Sequence, residues 1–445
     1  MKTMNLADAM NLGCACRTLN PQRLREQLET DPSLHGMASA LALSHPHLFS
    51  QTAVFLDERV HATLAQTIAT IERVFALPGY QQYTLAQAGA MAQHDFGPSG
   101  VFMGYDFHIS AQGPHLIEIN TNAGGALLNA ALARAHQACC DGLQGVSPIP
   151  ADLAGLDNAW IEMFQAEWRS QRGTAPLRSV LIVDDAPQTQ YLAPEFELAR
   201  QLLKSHGLQA VVADASELRF ENGALGHPAL PPGMPVDLIY NRLTDFDLSE
   251  PTHTALHEAY AAGSTVVTPN PRTHALMAHK RNLITLGDDA QLAAWGVPED
   301  DRALLRTAIP HTTSVRPDNA DALWAARRTL FFKPVAGYGA KAAYRGEKLT
   351  KRVWADIVAG DFIAQQLVPP SERIVEVDGT PTLLKLDVRA YTYRGHIQLL
   401  AARTYSGQTT NMRTPGGGFC PVMVLPRLPV ADTGLQLPVK MDCTC

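Results

Sequence analysis

An α/β fold with additional α+β elements is the architecture that the sequence predicts, and three observations support it. Short apolar strand candidates alternate with helical segments between residues 178 and 268, a pattern typical of a parallel sheet. Two strand candidates at 103–109 and 116–120 are joined by turn-forming residues, which predicts a hairpin. A further strand at 331–334 runs directly into a glycine-rich loop.

The composition is typical of a globular protein of two or three domains. The chain has 445 residues, of which 46% are hydrophobic and 18% charged, with a net charge of -7. An acidic chain without a basic block gives no electrostatic reason to expect nucleic acid or an anionic membrane as a partner. No apolar run approaches the eighteen residues of a spanning helix. The first residues lack the apolar segment of a secretory signal, so we expect a cytoplasmic protein.

The seven cysteines do not have the spacing of a secreted disulfide scaffold, and a reducing compartment suits them better. Two Cys-x-Cys pairs, Cys14/Cys16 and Cys443/Cys445, stand near opposite ends of the chain. A four-thiolate zinc site is conceivable if the ends meet, although Cys-x-x-Cys is the more usual spacing. Reduced thiols with no special role are the simpler interpretation.

Residues 20 to 95 show helical periodicity, with apolar residues at three and four spacing in Gln22–Thr30 and Val60–Ala76. We expect this part to be scaffold.

The hairpin candidate carries a pattern of oxygen ligands. In the run 116–120 apolar and polar residues alternate, which places Glu118 and Asn120 on one face of a strand. Pairing with the strand at 103–109 brings Asp106 near Glu118. Three such side chains are the ligands that a hard cation carrying phosphate oxygens needs. For one strand alone, a solvated acidic face is the simpler alternative.

The segment after the hairpin combines Gly124 and Gly125 with an Ala- and Leu-rich helical run at 126–140. Glycines at a helix start let backbone N–H groups approach an anion.

The alternating strands and helices from 178 to 268 predict a parallel sheet. Such sheets bind ligands beyond the carboxyl ends of their strands, where this sequence has Asp184, Asn241, Arg242 and Asn270. Each of them is as well explained by a capping role.

The strand 331–334 carries Lys333 immediately before the glycine-rich run 335–341, and a second strand follows with Tyr344. Glycines that expose N–H donors and a lysine that supplies a point charge suit a phosphate cover. The pattern is neither the phosphate-binding loop that opens a helix nor a dinucleotide fingerprint. An ordinary hairpin turn is the alternative.

The C-terminal third is rich in cations. After a strand at 361–368, which offers main-chain groups to a purine edge, the strand 384–393 places Lys385, Asp387 and Arg389 on one face. A second strand leads towards Arg403, Asn411, Arg413 and the glycines 416–418. This concentration in an acidic protein favours an anionic ligand over a solvated face.

In this order the motifs resemble the ATP-grasp superfamily of carboxylate–amine ligases. Usual members place the acidic strand and Glu-x-Asn last, whereas here Asp106 and Glu118–Asn120 come first. They are followed by the α/β unit, Lys280, Lys333 with its loop, a hinge strand at Gln365–Val368, and Asp387-Val388-Arg389. The order is similar to the circularly permuted branch that includes eukaryotic glutathione synthetase. The glycine loop of that enzyme carries a metal-binding Glu, which the run 334–340 lacks, so its thiol peptide substrate is not carried over.

The resemblance implies an ADP-forming ligase that makes an amide or peptide bond through an acyl phosphate, with ATP and one or two Mg²⁺ ions. The small-molecule substrates would be a carboxylate and an amine, such as an amino acid or short peptide. An ATP-dependent small-molecule phosphotransferase and a catalytically idle ATP-binding module remain alternatives. Related ligases are often dimers, so a homodimer is compatible with the resemblance.

The resemblance also implies a role for each site residue. The ligands of Mg²⁺ would be Asp106, Glu118 and Asn120. The nucleotide would be held by Lys280 and Lys333 at its phosphates, by Gly337 and Gly339 as a closing lid, and by Gln366, Leu367, Val368 and Asp387. Catalysis would fall to Arg403, Arg389 and Asn411.

The implied fold is a circularly permuted ATP-grasp fold with an inserted parallel-sheet substrate domain and a small lid. Residues 1–145 would hold the helical N-terminal segment and the metal-binding half of the core. Residues 176–290 would form the substrate domain, 325–370 the lid, and 371–445 the rest of the core.

Overall fold

The protein is described by a computed structural model in which residues 5–14, 16–136, 147–150, 152–336 and 342–426 are defined. The helices of these residues are α1 (Leu6–Gly13), α2 (Pro21–Leu28), α3 (Met37–Ser44), α4 (Glu58–Phe75), α5 (Pro78–Leu85), α6 (Ala126–Ala135), α7 (Leu156–Arg172), α8 (Ala193–Ser205), α9 (Thr254–Ala261), α10 (Pro271–Thr273), α11 (Asn282–Leu286), α12 (Asp289–Ala294), α13 (Glu299–Ala308), α14 (Ala320–Ala326) and α15 (Lys351–Ala359). The strands are β1 (Val54–Asp57), β2 (Met103–Ser110), β3 (Gly113–Asn120), β4 (Ser147–Pro148), β5 (Ser179–Asp184), β6 (Gln209–Asp214), β7 (Arg219–Glu221), β8 (Ala224–Gly226), β9 (Leu238–Asn241), β10 (Val266–Thr268), β11 (Thr312–Ser314), β12 (Leu330–Pro334), β13 (Tyr344–Arg345), β14 (Phe362–Gln366), β15 (Ser371–Val377), β16 (Thr380–Tyr393), β17 (His396–Tyr405) and β18 (Gly418–Leu425).

The largest sheet is eight-stranded and is built from both ends of the chain. Its central order is β1-β18-β17-β16-β2-β3, with β15 paired to β16 and β4 paired to β18. The predicted hairpin of β2 and β3 is confirmed, and it places Asp106 directly opposite Glu118. Strand β2 then pairs with β16, so that Asp106 stands beside Arg389. Residues from the first and last thirds of the sequence therefore share one sheet face.

Alternation along these strands decides which side chains face the core. Tyr105, Val388 and Ala402 pack into one buried cluster with helix α4 residues such as Ile68. Because side chains alternate between the two faces of a strand, the polar residues between them project from the opposite face. This separation puts the charged residues of β2, β16 and β17 side by side.

The predicted parallel sheet is confirmed. Strands β10-β9-β5-β6 form a four-stranded sheet in which every pair is parallel. Strands β5, β9 and β10 are buried along their whole length, as expected where helices cover both faces of such a sheet, whereas the edge strand β6 is only partly buried. No helix in the defined part of the chain combines the length and apolar character of a membrane span.

A smaller antiparallel sheet has the order β11-β14-β12-β13. Phe332 of β12 pairs with Tyr344 of β13, as the strand–loop–strand pattern predicts. Gly337 and Gly339, the predicted lid glycines, lie outside the defined residues. The division of the chain into domains stays a prediction.

The start of helix α6, at Gly124 and Gly125, binds an anionic side chain of the protein, the carboxylate of Glu195. The Gly125 N–H donates to Glu195 of helix α8 at 2.7 Å and the Leu127 N–H donates to the same carboxylate at 3.1 Å. Gly125 has φ of 101°, and a Cβ there would lie 2.4 Å from Phe419. The glycine is thus required by backbone conformation and by close packing.

The Cys14/Cys16 pair packs in the N-terminal segment, where Cys14 is buried beside Phe55 and Leu425. Cys443 and Cys445 lie outside the defined residues, so the zinc hypothesis stays a prediction.

We expect Glu195→Ala to lower the free energy of unfolding by about 3–5 kcal/mol. The substitution leaves two helix N–H groups without an acceptor and removes a negative charge near the buried Arg242. Urea unfolding monitored by circular dichroism measures the change. The matched control is Glu197→Ala on the same helix, which removes only a surface pair with Arg200 and should cost less than about 1 kcal/mol. Equal costs for the two variants would contradict the role of Glu195.

Candidate active site

A cavity of about 740 Å³ opens between the charged face of the large sheet and the small antiparallel sheet. Every predicted site residue that the structure defines lines it. These residues are Asp106, Glu118, Asn120, Lys280, Lys333, Gln366, Leu367, Val368, Asp387, Arg389, Arg403 and Asn411. They come from widely separated segments of the sequence, and the fold brings them together.

The cavity lining is strongly cationic. Seven lysine and arginine side chains face three carboxylates, in a chain whose net charge is -7. Arg345, Lys385 and Arg413 belong to this set but were not among the predicted site residues. Lys385 and Arg413 belong to the C-terminal concentration of cations for which the sequence favours an anionic ligand, whereas no sequence pattern indicates Arg345 of β13. A lining of this kind concentrates anions.

Asp106 is the centre of a buried ion-pair network. Arg389 donates Nε and Nη2 to its two carboxylate oxygens at 2.6 and 2.7 Å. Arg403 donates Nη2 to Asp106 at 2.9 Å and Nε to Asp387 at 2.7 Å. These are cross-strand neighbours, since Asp106 pairs with Arg389 and Asp387 with Arg403 in the sheet register. The network therefore fixes both guanidinium groups at the cavity wall.

The charge states of the network follow from its contacts. Burial tends to raise the pKa of Asp106, but the charges of Arg389 and Arg403 outweigh it and hold that pKa well below its ordinary value. Burial likewise opposes the charge of Arg389, and Asp106 raises its pKa in return. All three groups are ionised at neutral pH.

The three predicted metal ligands have different surroundings. Both Asp106 oxygens already accept hydrogen bonds from arginine, whereas Glu118 lies 3.4 Å from the Lys280 ammonium and is partly exposed to the cavity. Asn120 donates Nδ2 to Asp106 at 3.3 Å, which turns its carbonyl oxygen away from that carboxylate. Glu118 and Asn120 thus offer hard oxygen donors that suit Mg²⁺. Among the defined residues no three His, Cys, Asp or Glu side chains cluster as a metal site would require.

Lys333 lies beside Glu118, as the predicted arrangement requires. Its Nζ donates to the Ile117 carbonyl at 2.8 Å and to Gln365 Oε1 at 2.9 Å. Burial and the charge of Lys280 lower the pKa of Lys333 to about 8, while Glu118 opposes the shift. Gln365, on the neighbouring strand β14, orients the Lys333 side chain through this hydrogen bond.

His108 lines the cavity and was not among the predicted site residues. Its Nδ1 lies 2.7 Å from the Val368 carbonyl. Because a carbonyl only accepts hydrogen bonds, Nδ1 carries the proton and Nε2 is an acceptor. Burial lowers the pKa of His108, which favours this neutral form. The imidazole therefore fixes the position of Val368, which belongs to the segment predicted to contact adenine.

Asn411 organises a loop at the cavity mouth. It donates Nδ2 to the Ser406 carbonyl at 2.9 Å and accepts from the Arg413 N–H and Thr414 Oγ1, both at 3.1 Å. The predicted catalytic role of Asn411 stays a prediction beside this structural one.

The polar residues at the ends of the parallel strands have structural partners. Asn241 donates Nδ2 to Pro269 O, Arg242 donates to Asn122 O, and Asn270 accepts from Thr273 N at the start of α10. Asp184 accepts from the Asp185 N–H, and burial raises the pKa of Asp184 to about 6. The capping interpretation accounts for these contacts.

Known proteins resemble this chain in structure but not in sequence. No protein-family model and no curated protein matches the sequence. A glutathione synthetase-like effector from Globodera pallida superimposes with a TM-score of 0.52 at 12% identity, over 91% of this chain and 97% of that one. A gamma-glutamylcysteine synthetase-like protein from Methylobacillus flagellatus gives 0.47 at 11% identity, over 82% and 86% of the two chains. D-alanyl-alanine synthetase A from Vibrio cholerae gives 0.30 at 10% identity, over 56% and 88%. The predicted resemblance to glutathione synthetase is confirmed at the level of the fold.

Asp106→Asn should lower the free energy of unfolding at neutral pH by about 3–5 kcal/mol, because it removes the ion pair of the buried Arg389 and leaves the buried Arg403 with Asp387 alone. The pKa of Asp106 is depressed in the folded protein, so its contribution is present above its ordinary value of 3.8 and is lost as pH falls towards the folded pKa. The difference between wild type and variant should therefore shrink on acidification.

Urea unfolding at several pH values between about 3 and about 7 measures that difference. Asp318→Asn is the control, since that side chain is 73% exposed. A constant difference down to the lowest pH would contradict the assignment.

Proposed function

We propose that the protein is an ATP-dependent carboxylate–amine ligase that forms ADP and an amide or peptide bond through an acyl phosphate, acting on an amino acid or small peptide. One observation carries the proposal. Glu118 and Asn120 lie beside Lys280, Lys333 and the two fixed arginines in a cavity whose cations outnumber its carboxylates by seven to three. Phosphoryl transfer depends mainly on positioning and charge stabilisation, and this lining supplies both.

The nucleotide would lie with its phosphates at Lys280 and Lys333 and its adenine at Gln366, Leu367 and Val368. The charge of Lys333 is held in place by two hydrogen bonds, and His108 fixes the Val368 carbonyl. The lid role of Gly337 and Gly339 belongs to the proposal, and Asp387 would act through Arg403.

Of the three predicted ligands, Glu118 and Asn120 would hold the magnesium. The metal role of Asp106 stays a prediction, because both of its oxygens already accept hydrogen bonds from Arg389, and here it would orient Asn120 and the arginines. When bound, Mg²⁺ would supply charge neutralisation on the phosphates.

The reaction has two balanced steps. A substrate carboxylate oxygen attacks the γ-phosphorus, the bond from phosphorus to the β,γ-bridging oxygen breaks, and ADP leaves with those electrons. A neutral amine then attacks the acyl carbon, the carbon–oxygen bond to phosphate breaks with its electrons on phosphate, and the nitrogen gives one proton to the departing phosphate. Arg403 and Arg389, oriented by Asp106, would stabilise the negative charge that develops on the acyl phosphate oxygens.

The test is ADP release across pooled carboxylates and amines, with mass measurement of the product and hydroxylamine as a trap for acyl phosphate. Glu118→Gln should abolish magnesium-dependent turnover while the circular dichroism spectrum is kept, and Glu162→Gln at a surface pair with Arg169, outside the cavity, serves as the control. A phosphorylated product without hydroxamate would favour the phosphotransferase. ATP binding without ADP formation across the panel would favour the idle module.

ATP affinity should fall as pH rises through about 8. The pKa of Lys333 is lowered to about 8 in the free protein, and the anionic ligand favours the protonated amine. Binding above that pH must therefore take up a proton. Calorimetric titration between about pH 7 and about pH 9.5, in buffers of different ionisation enthalpy, measures both effects.

Lys333→Met is the matched variant. It should bind ATP more weakly at pH 7 and lose the decline above pH 8, because the amine whose pKa is about 8 has been removed. An unchanged pH dependence in the variant would contradict the role of Lys333.

A further inference from the structure

Gln365 of strand β14 lies in the wall of the active-site cavity, where only 2% of its surface is exposed. Its Oε1 accepts a hydrogen bond from Lys333 Nζ at 2.9 Å. Because an ammonium group only donates, the amide oxygen must face Lys333 and Nε2 must point away from it. Among the residues that the structure defines, Nε2 has no hydrogen-bond partner. Gln365 thus carries a buried donor that the protein leaves unsatisfied.

This unsatisfied donor indicates a ligand. Most buried polar groups in folded proteins have a partner, and an N–H group without one is costly. Nε2 is already shielded from water in the free protein, so the loss of hydration belongs to folding and not to binding. An acceptor on a bound molecule would therefore gain a hydrogen bond without giving up one to water.

The face of the small sheet that carries Gln365 also carries Phe331 and Lys333. Gln365 pairs directly with Phe331 in the register of β12 and β14, and Lys333 lies two residues further along β12. Residues paired across strands and residues two apart on a strand share a face. All three line the active-site cavity, and Lys333 Nζ lies 5.8 Å from the centre of the Phe331 ring. One ligand would therefore meet an aromatic ring, an amide donor and an ammonium group.

The aromatic ring favours a base over a phosphate as the acceptor for Nε2. A flat apolar surface packs against the face of a purine, and Leu367 and Val368 add apolar lining next along the chain. Purines offer ring nitrogens as acceptors, whereas the 6-amino group of adenine is only a donor. Of these nitrogens, N7 lies on the side of the 5′-phosphates when the base is in the anti conformation. That is the side that Lys333 would hold.

We propose that Gln365 is a specificity-determining residue for the nucleotide, and that its Nε2 donates a hydrogen bond to N7 of the purine base. This role of Gln365 rests on the proposed ATP site. Oε1 of the same amide holds Lys333, so one side chain couples recognition of the base to the position of the phosphate-binding lysine. Because adenine and guanine both have N7, the contact selects purines over pyrimidines and does not distinguish the two purines.

The first experiment compares ATP with 7-deaza-ATP, in which a C–H group replaces N7. Each nucleotide is titrated with magnesium into the full-length protein by calorimetry. The wild type should bind 7-deaza-ATP about tenfold more weakly, as expected when a buried donor loses its acceptor. Equal affinity of the wild type for the two nucleotides overturns the proposal.

Two variants separate the base contact from the positioning of Lys333. Gln365→Glu keeps an acceptor for Lys333 but has no donor, and Gln365→Met lacks both. Each variant should lose the preference for ATP over 7-deaza-ATP. Gln22→Met, at an exposed glutamine of α2 outside the cavity, should keep it. A preference that survives in Gln365→Glu shows that another group contacts N7, and it overturns the role of Gln365.

The second experiment measures nucleoside diphosphate release from ATP and from 7-deaza-ATP with pooled carboxylates and amines. The wild type should show a higher KM for 7-deaza-ATP and a similar kcat, because the contact is remote from the reacting phosphorus. Diphosphate release with equal KM values for the two nucleotides overturns the base contact and leaves the ligase intact. The expected preference in binding, without diphosphate release for any substrate pair, supports the base contact and overturns the ligase.

Discussion

The buried carboxylate of Asp106 is the contact on which the rest of the site depends. It lies between two guanidinium groups on neighbouring strands, at 2.6 to 2.9 Å. Without that carboxylate, Arg389 would lose its ion pair and Arg403 would keep only the one to Asp387, so two neighbouring cations would be buried at a cost to the stability of the folded state. With it, both arginines keep fixed directions towards the cavity, which preorganises them for an anion.

A second cavity, of about 1050 Å³, lies beyond the carboxyl ends of β5 and β9, and the balance of charge on its lining is opposite to that of the active-site cavity. In the active-site cavity the cations exceed what the three carboxylates neutralise, and in the neighbouring cavity the carboxylates exceed the cations. The boundary is a short stretch of chain that follows the π-helical turn His274–Ala278. Such a turn shifts the helical register by one residue, and Lys280 faces one cavity while its neighbours face the other.

Much of this arrangement was predictable because it is local. Period-two alternation fixed the faces of Glu118 and Asn120, the turn residues fixed the hairpin, and apolar runs separated by helices indicated the parallel sheet. The sequence could not show that Glu195 occupies the helix start at Gly125, or that both oxygens of Asp106 are taken by arginines, because these partners meet only through long-range packing. Asn411 was expected to contact a ligand, whereas its hydrogen bonds within a loop depend on backbone conformation that composition does not encode.

The distance in sequence between Asp106 and Arg389 has a consequence for folding during synthesis on the ribosome. The two residues are 283 positions apart, so at roughly 5–20 residues per second a ribosome needs about 15–60 s to make the second after the first. Through that interval the β2–β3 hairpin exists with an open edge and an unpaired carboxylate, while the parallel sheet of 179–268 is completed and free to fold. The acidic hairpin face stays hydrated until its arginines arrive, and this charge discourages edge-to-edge association of nascent chains.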